Sequence, residues 1–308
     1  ADTDGVYVIV ESLGDTGADY LLLSSGTDTI ALGSGADSVV AGSGADYLDV
    51  GAGANSVDAG AGSDTVLATI GNDTVLAGEG SDSISVGEGN NVVDLGSGKD
   101  TVLAGSGNDS VYAAYAGDST SGSNEDRYVL GAGSDTVFAG VGSDYIDVTA
   151  TNASTGDSDY VSAGSGSDTV IAGDGNDTVL AGAGLDSISL GDGSDSVLFD
   201  VDASGVDTVY LGSGQDTVNA SADTDGVYVI VESLGDTGAD SIYLGSGSDT
   251  VILGAGDDIV RAGVGSDSLD LGAGNDYVVY DADSLTDIIL LGSGSDSVVA
   301  SANASGFY

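Results

Sequence analysis

Aspartate recurs every nine residues through most of this chain. Its usual setting is Gly-x-Gly-x-Asp, with Val, Ile or Leu two places further on. The segment VLAGSGNDSVYA, residues 102–113, shows the plan, and AGSGADYLDV, AGDGNDTVLA and LGAGNDYVVY repeat it closely. The aspartates in this place are Asp19, Asp28, Asp37, Asp46, Asp64, Asp73, Asp82, Asp100, Asp109, Asp126, Asp135, Asp144 and Asp159. They continue as Asp168, Asp177, Asp186, Asp195, Asp207, Asp216, Asp240, Asp249, Asp258, Asp267, Asp276, Asp287 and Asp296. Asn55 and Asn91 take the place in two copies. Carboxylates can ligate a hard cation, or work in pairs on a glycosidic bond. An active site is a singular constellation, whereas these side chains are periodic. The chain has no His and no Cys, so the usual nucleophile–base arrangements are unavailable. The pattern therefore points to metal ligation, and the chain is expected not to be an enzyme.

The charge balance supports this reading. Net charge is −48, and the basic residues are Lys99, Arg127 and Arg261 alone. Such charge opposes compaction, yet 41% of the residues are hydrophobic, enough for a core. Something must neutralise the carboxylates before that core can form. Glu occurs only at 11, 79, 88, 125 and 232; a surface made acidic for solubility has no reason to prefer Asp so strongly. Asp suits a tight turn because its short side chain reaches local partners. Calcium takes about six to eight oxygen ligands, carboxylate and backbone carbonyl among them. About 24 such ions would bring −48 to about zero. Extracellular sites of this kind often have Kd of about 10⁻⁴–10⁻³ M, so they would be empty in cytoplasm and filled outside the cell. Nucleic acid is not an expected partner, because its phosphates would be repelled.

The elements that position the carboxylates follow from the period. From Gly33 the chain reads GSGADSVVA, GSGADYLDV, GAGANSVDA, GAGSDTVLA, and the register runs unbroken to Ala113. There are about 28 copies in all. With the first glycine as position one, position three is usually Gly and position five Asp. Position six is mostly Ser, Thr or Tyr, and position seven is Val, Ile or Leu except at Tyr128. Position nine is Ala, Leu or Val, with Phe199 and Tyr280 as variants. Positions one to five predict a turn, because glycine permits positive φ and close backbone approach. Positions six to nine predict a short strand with seven and nine inward and six and eight outward. Two copies make one coil, and about 14 coils stacked ~4.8 Å apart give a rod on the order of 65 Å.

These repeats resemble the RTX (repeats-in-toxin) calcium-binding nonapeptides, G-G-x-G-x-D-x-U-x. AGSGNDSVY and AGDGNDTVL match that pattern except at its first position. The resemblance implies an all-β, right-handed parallel β-roll or β-solenoid built from nonapeptide half-coils, with calcium held in the turns by Asp carboxylates and turn carbonyls. It also implies export by a type I pathway and folding outside the cell. The family's first glycine is here Ala, Leu or Val, as in Ala104 before Gly105, which adds a second inward residue and predicts a fatter core.

One continuous solenoid is expected over 1–308, interrupted by loops or extra strands near 114–121, 149–154, 200–202, 221–235 and 281–282. ADTDGVYVIVESLGDTGAD occurs identically at 1–19 and 222–240, and SANASGFY at the C-terminus resembles SADTDGVYV at 221–229. Both ends are therefore expected to fall inside a longer array. DVDASG at 200–205 opens like an EF-hand loop but lacks the acidic twelfth residue, which is Leu211. No apolar run approaches the ~20 residues of a membrane span, and no signal peptide is visible.

Position eight should face solvent, yet it holds Leu67, Leu76, Leu103, Phe138, Ile171, Leu180, Tyr210, Tyr243, Ile252 and Leu290 alongside Asp49, Asp58, Ser85, Asp94, Asp147, Ser189 and Asp270. Apolar side chains recurring along a sheet face favour burial against a neighbour, and open coil ends can stack. The expectation is an extracellular calcium-binding structural protein that forms a surface layer, sheath or filament as a homo-oligomer or homopolymer. The alternative is a calcium-triggered folding or spacer module of a larger secreted toxin, enzyme or adhesin. Ice or mineral binding by an outward row including Thr65, Thr74, Thr101 and Thr169 is disfavoured, because Tyr47, Tyr145 and Tyr277 break its flatness.

Overall fold

The computed structural model describes residues 5–9, 16–113, 124–149, 156–201, 205–230, 236–281, 283 and 285–301. Every regular element among them is a β-strand. The chain divides into two compact units, residues 1–154 and 155–308, and each is a parallel β-solenoid.

In the first unit consecutive strands go to opposite sheets. One sheet takes, in order, Tyr7–Ile9, Thr29–Ala31, Tyr47–Gly51, Thr65–Ala68, Ser83–Gly87, Thr101–Ala104, Arg127–Val129 and Tyr145–Asp147. The other takes Tyr20–Leu22, Ser38–Ser43, Ser56–Ala61, Thr74–Glu79, Val92–Ser97, Ser110–Tyr112 and Thr136–Phe138. Neighbours in a sheet are parallel and one coil apart in sequence, as in Thr65↔Ser83 and Val66↔Ile84. The second unit repeats the arrangement from Tyr160–Ser162 to Ser297–Ser301, with a small extra pair, Ser246–Gly247 against Val264–Gly265.

Side-chain alternation places the core. Away from the terminal coils, positions seven and nine of both sheets are buried, as at Val66, Val75, Ala77, Ile84 and Val86. Apolar burial of this kind contributes about 25 cal/mol per Å² removed from water. Tyr128, the one aromatic at position seven, is fully buried like its aliphatic counterparts. Its hydroxyl donates to the Ala139 carbonyl at 3.3 Å and lies 3.4 Å from Oδ2 of Asp126. Burial pushes the Tyr128 phenol well above its usual range, with the Asp126 and Asp144 charges adding to the effect.

Glycine is required because turn stacks on turn. Gly62 has φ of +151°, and a Cβ there would overlap the Gly44 carbonyl oxygen one coil before. Gly274 carries no such φ, and its Cβ would meet the Gly256 carbonyl in the same way. Close approach alone thus excludes a side chain at Gly274.

Insertions do not disturb this register. Thr101 pairs with Arg127 across 26 residues, of which 114–123 lie outside the described residues. Ser187 pairs with Thr208 around the 200–202 interruption. Within 221–235 the strand Val227–Ile230 takes a regular place in the sheet between Asp207–Gly214 and Thr250–Ile252. Asp281 closes the strand Tyr277–Asp281. Of 149–154, only Thr149 is described.

Candidate metal-binding turns

The position-five residues form two ladders, one at each turn edge of the coil. In the first unit one ladder runs Asp28, Asp46, Asp64, Asp82, Asp100, Asp126, Asp144. The other runs Asp19, Asp37, Asn55, Asp73, Asn91, Asp109, Asp135. In each step the backbone N–H of one rung donates to Oδ1 of the next: Asp46 to Asp64 at 2.8 Å and Asp82 to Asp100 at 2.7 Å. The second unit carries Asp168, Asp186, Asp207 and then Asp249, Asp267, Asp287 on one edge. Its other edge carries Asp159, Asp177, Asp195, Asp216, Asp240, Asp258, Asp276 and Asp296. The 21- and 24-residue steps, Asp195 to Asp216 and Asp216 to Asp240, close the same bond at 2.9 Å. All the sequence-derived sites lie on these ladders. Asp19, Asp287 and Asp296 are part-buried, and the remaining sites are buried.

One carboxylate oxygen is thereby used and the other is left over. Oδ2 of Asp28, Asp37, Asp46, Asp64, Asp73, Asp82, Asp100 and Asp109 is buried without a hydrogen-bond partner. The same holds for Asp177, Asp195, Asp216, Asp249, Asp258, Asp267 and Asp276 in the second unit. An unpaired buried charge is among the costliest features a fold can hold. Burial pushes these acids up: Asp64 to about 6, Asp100 and Asp195 to about 7, Asp216 to about 8. In each, the donated N–H pulls the other way, and adjacent rungs add repulsion. Asp249 and Asp258 reach about 7 for the same reasons.

The asparagine rungs show what the leftover oxygen faces. Oδ1 of Asn55 accepts the Asp37 N–H at 3.0 Å, which fixes the amide. Its Nδ2 then donates to the Gly53 carbonyl of its own turn at 3.0 Å. Nδ2 of Asn91 meets the Gly89 carbonyl at 3.0 Å, the Gly87 carbonyl at 3.5 Å and Oδ1 of Asp109 at 2.9 Å. Asp and Asn share a shape, so Oδ2 of an Asp rung points at the same oxygens. Acceptor faces acceptor unless a positive charge lies between.

Calcium fits this setting. The donors are carboxylate and carbonyl oxygens, and at turns such as those of Gly62 and Gly274 the cradle has no room for a Cβ. Among the described residues no three acidic side chains converge, so rung carboxylates would hold the ion together with the position-one and position-three carbonyls. Bound there, calcium supplies the charge that offsets the rungs and gives Oδ2 a partner.

Family comparison decides the assignment. The model of the RTX calcium-binding nonapeptide repeat matches residues 13–39, 40–75, 76–111, 120–152, 155–188, 162–197, 202–228, 234–260 and 253–284. The chain belongs to the RTX calcium-binding nonapeptide repeat family. Proteins that carry RTX repeats are typically secreted. Comparison with curated protein sequences finds no match. Among solved structures, the chain is similar to a hyperactive, Ca2+-dependent, β-helical antifreeze protein from an Antarctic bacterium. Identity is 18%, the alignment covers 96% of this chain and 83% of that one, and the TM-score is 0.37.

Among the described residues, Asp223 and Asp236 are buried acids outside the nonamer's fifth position. Asp223 accepts the N–H groups of Asp225 at 3.2 Å and Gly226 at 3.3 Å. Asp236 accepts those of Gly238 at 3.0 Å and Gly214 at 3.2 Å. Both lie in the segment 222–240 that repeats 1–19, and that identity is the signal that could have found them. The duplicated segment also contains a rung with no carboxylate. Val227 donates its N–H to Asp249 at 2.7 Å, and its copy Val6 donates to Asp28 at 2.6 Å.

Proposed function

We propose that this chain is an extracellular structural protein that winds up on calcium and assembles with its own copies into a surface layer, sheath or filament, without catalytic activity. The observation that carries the calcium part is the row of buried Oδ2 atoms along both ladders, each needing a positive partner. Winding is then conditional on the metal, which fits a chain exported unfolded and compacted outside the cell.

Assembly draws support from position eight. Leu76, Leu103, Phe138 and Ile252 are exposed on the sheet faces. In the second unit Tyr210, Ile230 and Ile252 stand in register on three successive strands. Tyr112 and Phe138 stack in register with ring centroids 5.5 Å apart. A charge of −48 keeps uncalcified chains apart, so association follows metal loading. Nucleic acid is no partner for such a surface. Among the described residues no helix is long and apolar enough to cross a membrane, and insertion is not part of this reading.

Electron microscopy of the protein in millimolar calcium and after chelation is the test. Ordered fibres or lattices that dissolve in chelator are expected. A calcium-loaded species that stays monomeric at high concentration by light scattering overturns assembly and leaves the alternative, a folding or spacer module of a larger secreted protein.

A further inference from the structure

We infer that Asn55 and Asn91 are metal-free rungs, at which the side-chain amide takes the place of the calcium ion. The inference rests on calcium loading of the aspartyl rungs, and it assigns these two turns a different chemistry.

The ladder fixes the direction of each amide. An asparagine has one acceptor and one double donor. The ladder claims the acceptor, because the N–H of Asp37 reaches Oδ1 of Asn55 and that of Asp73 reaches Oδ1 of Asn91 at 2.9 Å. The nitrogen must therefore occupy the place that Oδ2 holds in an aspartyl rung. Both asparagines are buried, so that nitrogen has no water to turn to. It finds oxygen instead. Around Nδ2 of Asn91 stand the carbonyls of positions one and three of its own turn and the carboxylate of the next rung. Asn55 reaches its own turn carbonyl, and its backbone N–H donates to Oδ1 of Asp73. These are the oxygens a cation would gather, and here they are already satisfied by N–H donors.

Two consequences separate these rungs from the rest. A neutral amide adds no charge to offset and presents hydrogens where a cation needs lone pairs, so calcium loses both its ligand and its space. The amide needs no metal, so wherever the coils are wound the contacts at Asn55 and Asn91 hold with or without calcium. Both asparagines lie on one edge of the first unit, where the ladder reads Asp37, Asn55, Asp73, Asn91, Asp109. The opposite edge at the same level, Asp46, Asp64, Asp82, Asp100, is aspartate throughout. The coils around residues 55–91 therefore load asymmetrically, with ions alternating on one edge and continuous on the other.

The test counts ions. Parent, N55D/N91D and D64N/D100N are dialysed to equilibrium against saturating calcium in added salt, and bound metal is read by atomic absorption as the excess on the protein side, with circular dichroism recorded on the same samples. One further ion per substitution is expected in N55D/N91D, and one fewer per substitution in D64N/D100N, with the same β content in calcium for all three. Unchanged calcium in N55D/N91D at parental β content overturns the inference. So does unchanged calcium in D64N/D100N, which decides the matter if N55D/N91D does not fold. A parent that binds no calcium refutes calcium loading itself and this inference with it, whereas binding with an unaltered count refutes the inference alone.

Discussion

The backbone N–H of Asp46 donates to Oδ1 of Asp64, 2.8 Å away on the next coil, and leaves Oδ2 of Asp64 buried with no hydrogen-bond partner. The two oxygens of one carboxylate thus have different duties. One is part of the backbone ladder and works in any ionic state. The other is a debt of charge that only a cation or a proton settles.

Two substitutions at Asp64 separate these duties, because they change stability in opposite directions when calcium is absent. Asp64→Ala removes both oxygens and strands the buried Asp46 N–H, at a cost of about 1–3 kcal/mol. Asp64→Asn keeps the acceptor and supplies a donor for the turn carbonyl, as Asn55 does. In chelator at pH 8, titration with the osmolyte trimethylamine oxide should wind D64N at a lower concentration than the parent and D64A at a higher one. In saturating calcium, urea should unfold both variants before the parent. A D64N osmolyte midpoint above that of the parent in chelator would contradict the reading of Oδ2.

Chelation should collapse the fold near neutral pH. Without metal the buried rungs repel one another along both ladders, and the chain carries −48. Far-UV circular dichroism in EGTA at pH 8 should show loss of β signal, restored by millimolar calcium. Equal β content in the two conditions would show that the rungs need no metal.

Acid should replace calcium. The folded-state values of Asp64, Asp100, Asp195 and Asp216 are raised to about 6, 7, 7 and 8, mainly by burial. A group whose value rises on folding binds its proton more tightly in the folded state. Its contribution is fully present below the unfolded value near 4 and is lost as pH rises through the folded value. The metal-free protein should therefore gain β structure as pH falls from 8 to about 4. Calcium affinity should fall over the same window, because protons and metal compete for Oδ2. A titration in EGTA followed by circular dichroism reads the first effect, and calcium titrations at pH 6 and pH 8 read the second.

The period of nine made the solenoid legible, along with the inward rows at positions seven and nine and the burial of position five. Tyr128 followed that rule although its size did not suggest it. The Oδ1-to-backbone ladder was not legible, because a spacing says which residues stack but not which atom of a side chain meets the next coil. Val227 hid a whole strand for a related reason. Any residue can donate a backbone N–H, so a rung can do without its carboxylate, and the pattern breaks while the fold continues. Asp223 and Asp236 stayed hidden because they cap turns specific to the duplicated segment.

Gly274 should be irreplaceable although its φ is ordinary. Gly274→Ala places a methyl on the Gly256 carbonyl oxygen, which belongs to rigid backbone. Overpacking of this kind typically costs about 1–3 kcal/mol. Ala45→Ser, at an exposed position four, should change stability by no more than about 0.5 kcal/mol. Calcium-saturated thermal melts of the two variants make the comparison, and a G274A melt matching that of A45S would mean that the coils can spread at the turn.

Assembly should be separable from folding at the sheet face. Tyr210, Ile230 and Ile252 form an apolar row in register, and the next strand of that row carries Asp270 in the equivalent place. The sheet therefore already tolerates a charged side chain there. Ile252 is 38% exposed, so Ile252→Lys gives up little buried apolar area and sets its ammonium beside the Asp270 carboxylate. Calcium content and β signal should stay at the parental level, while light scattering of the calcium-loaded protein should drop. If scattering is unchanged with the row interrupted, the contact between copies lies elsewhere, and the coil ends become the surface to mutate.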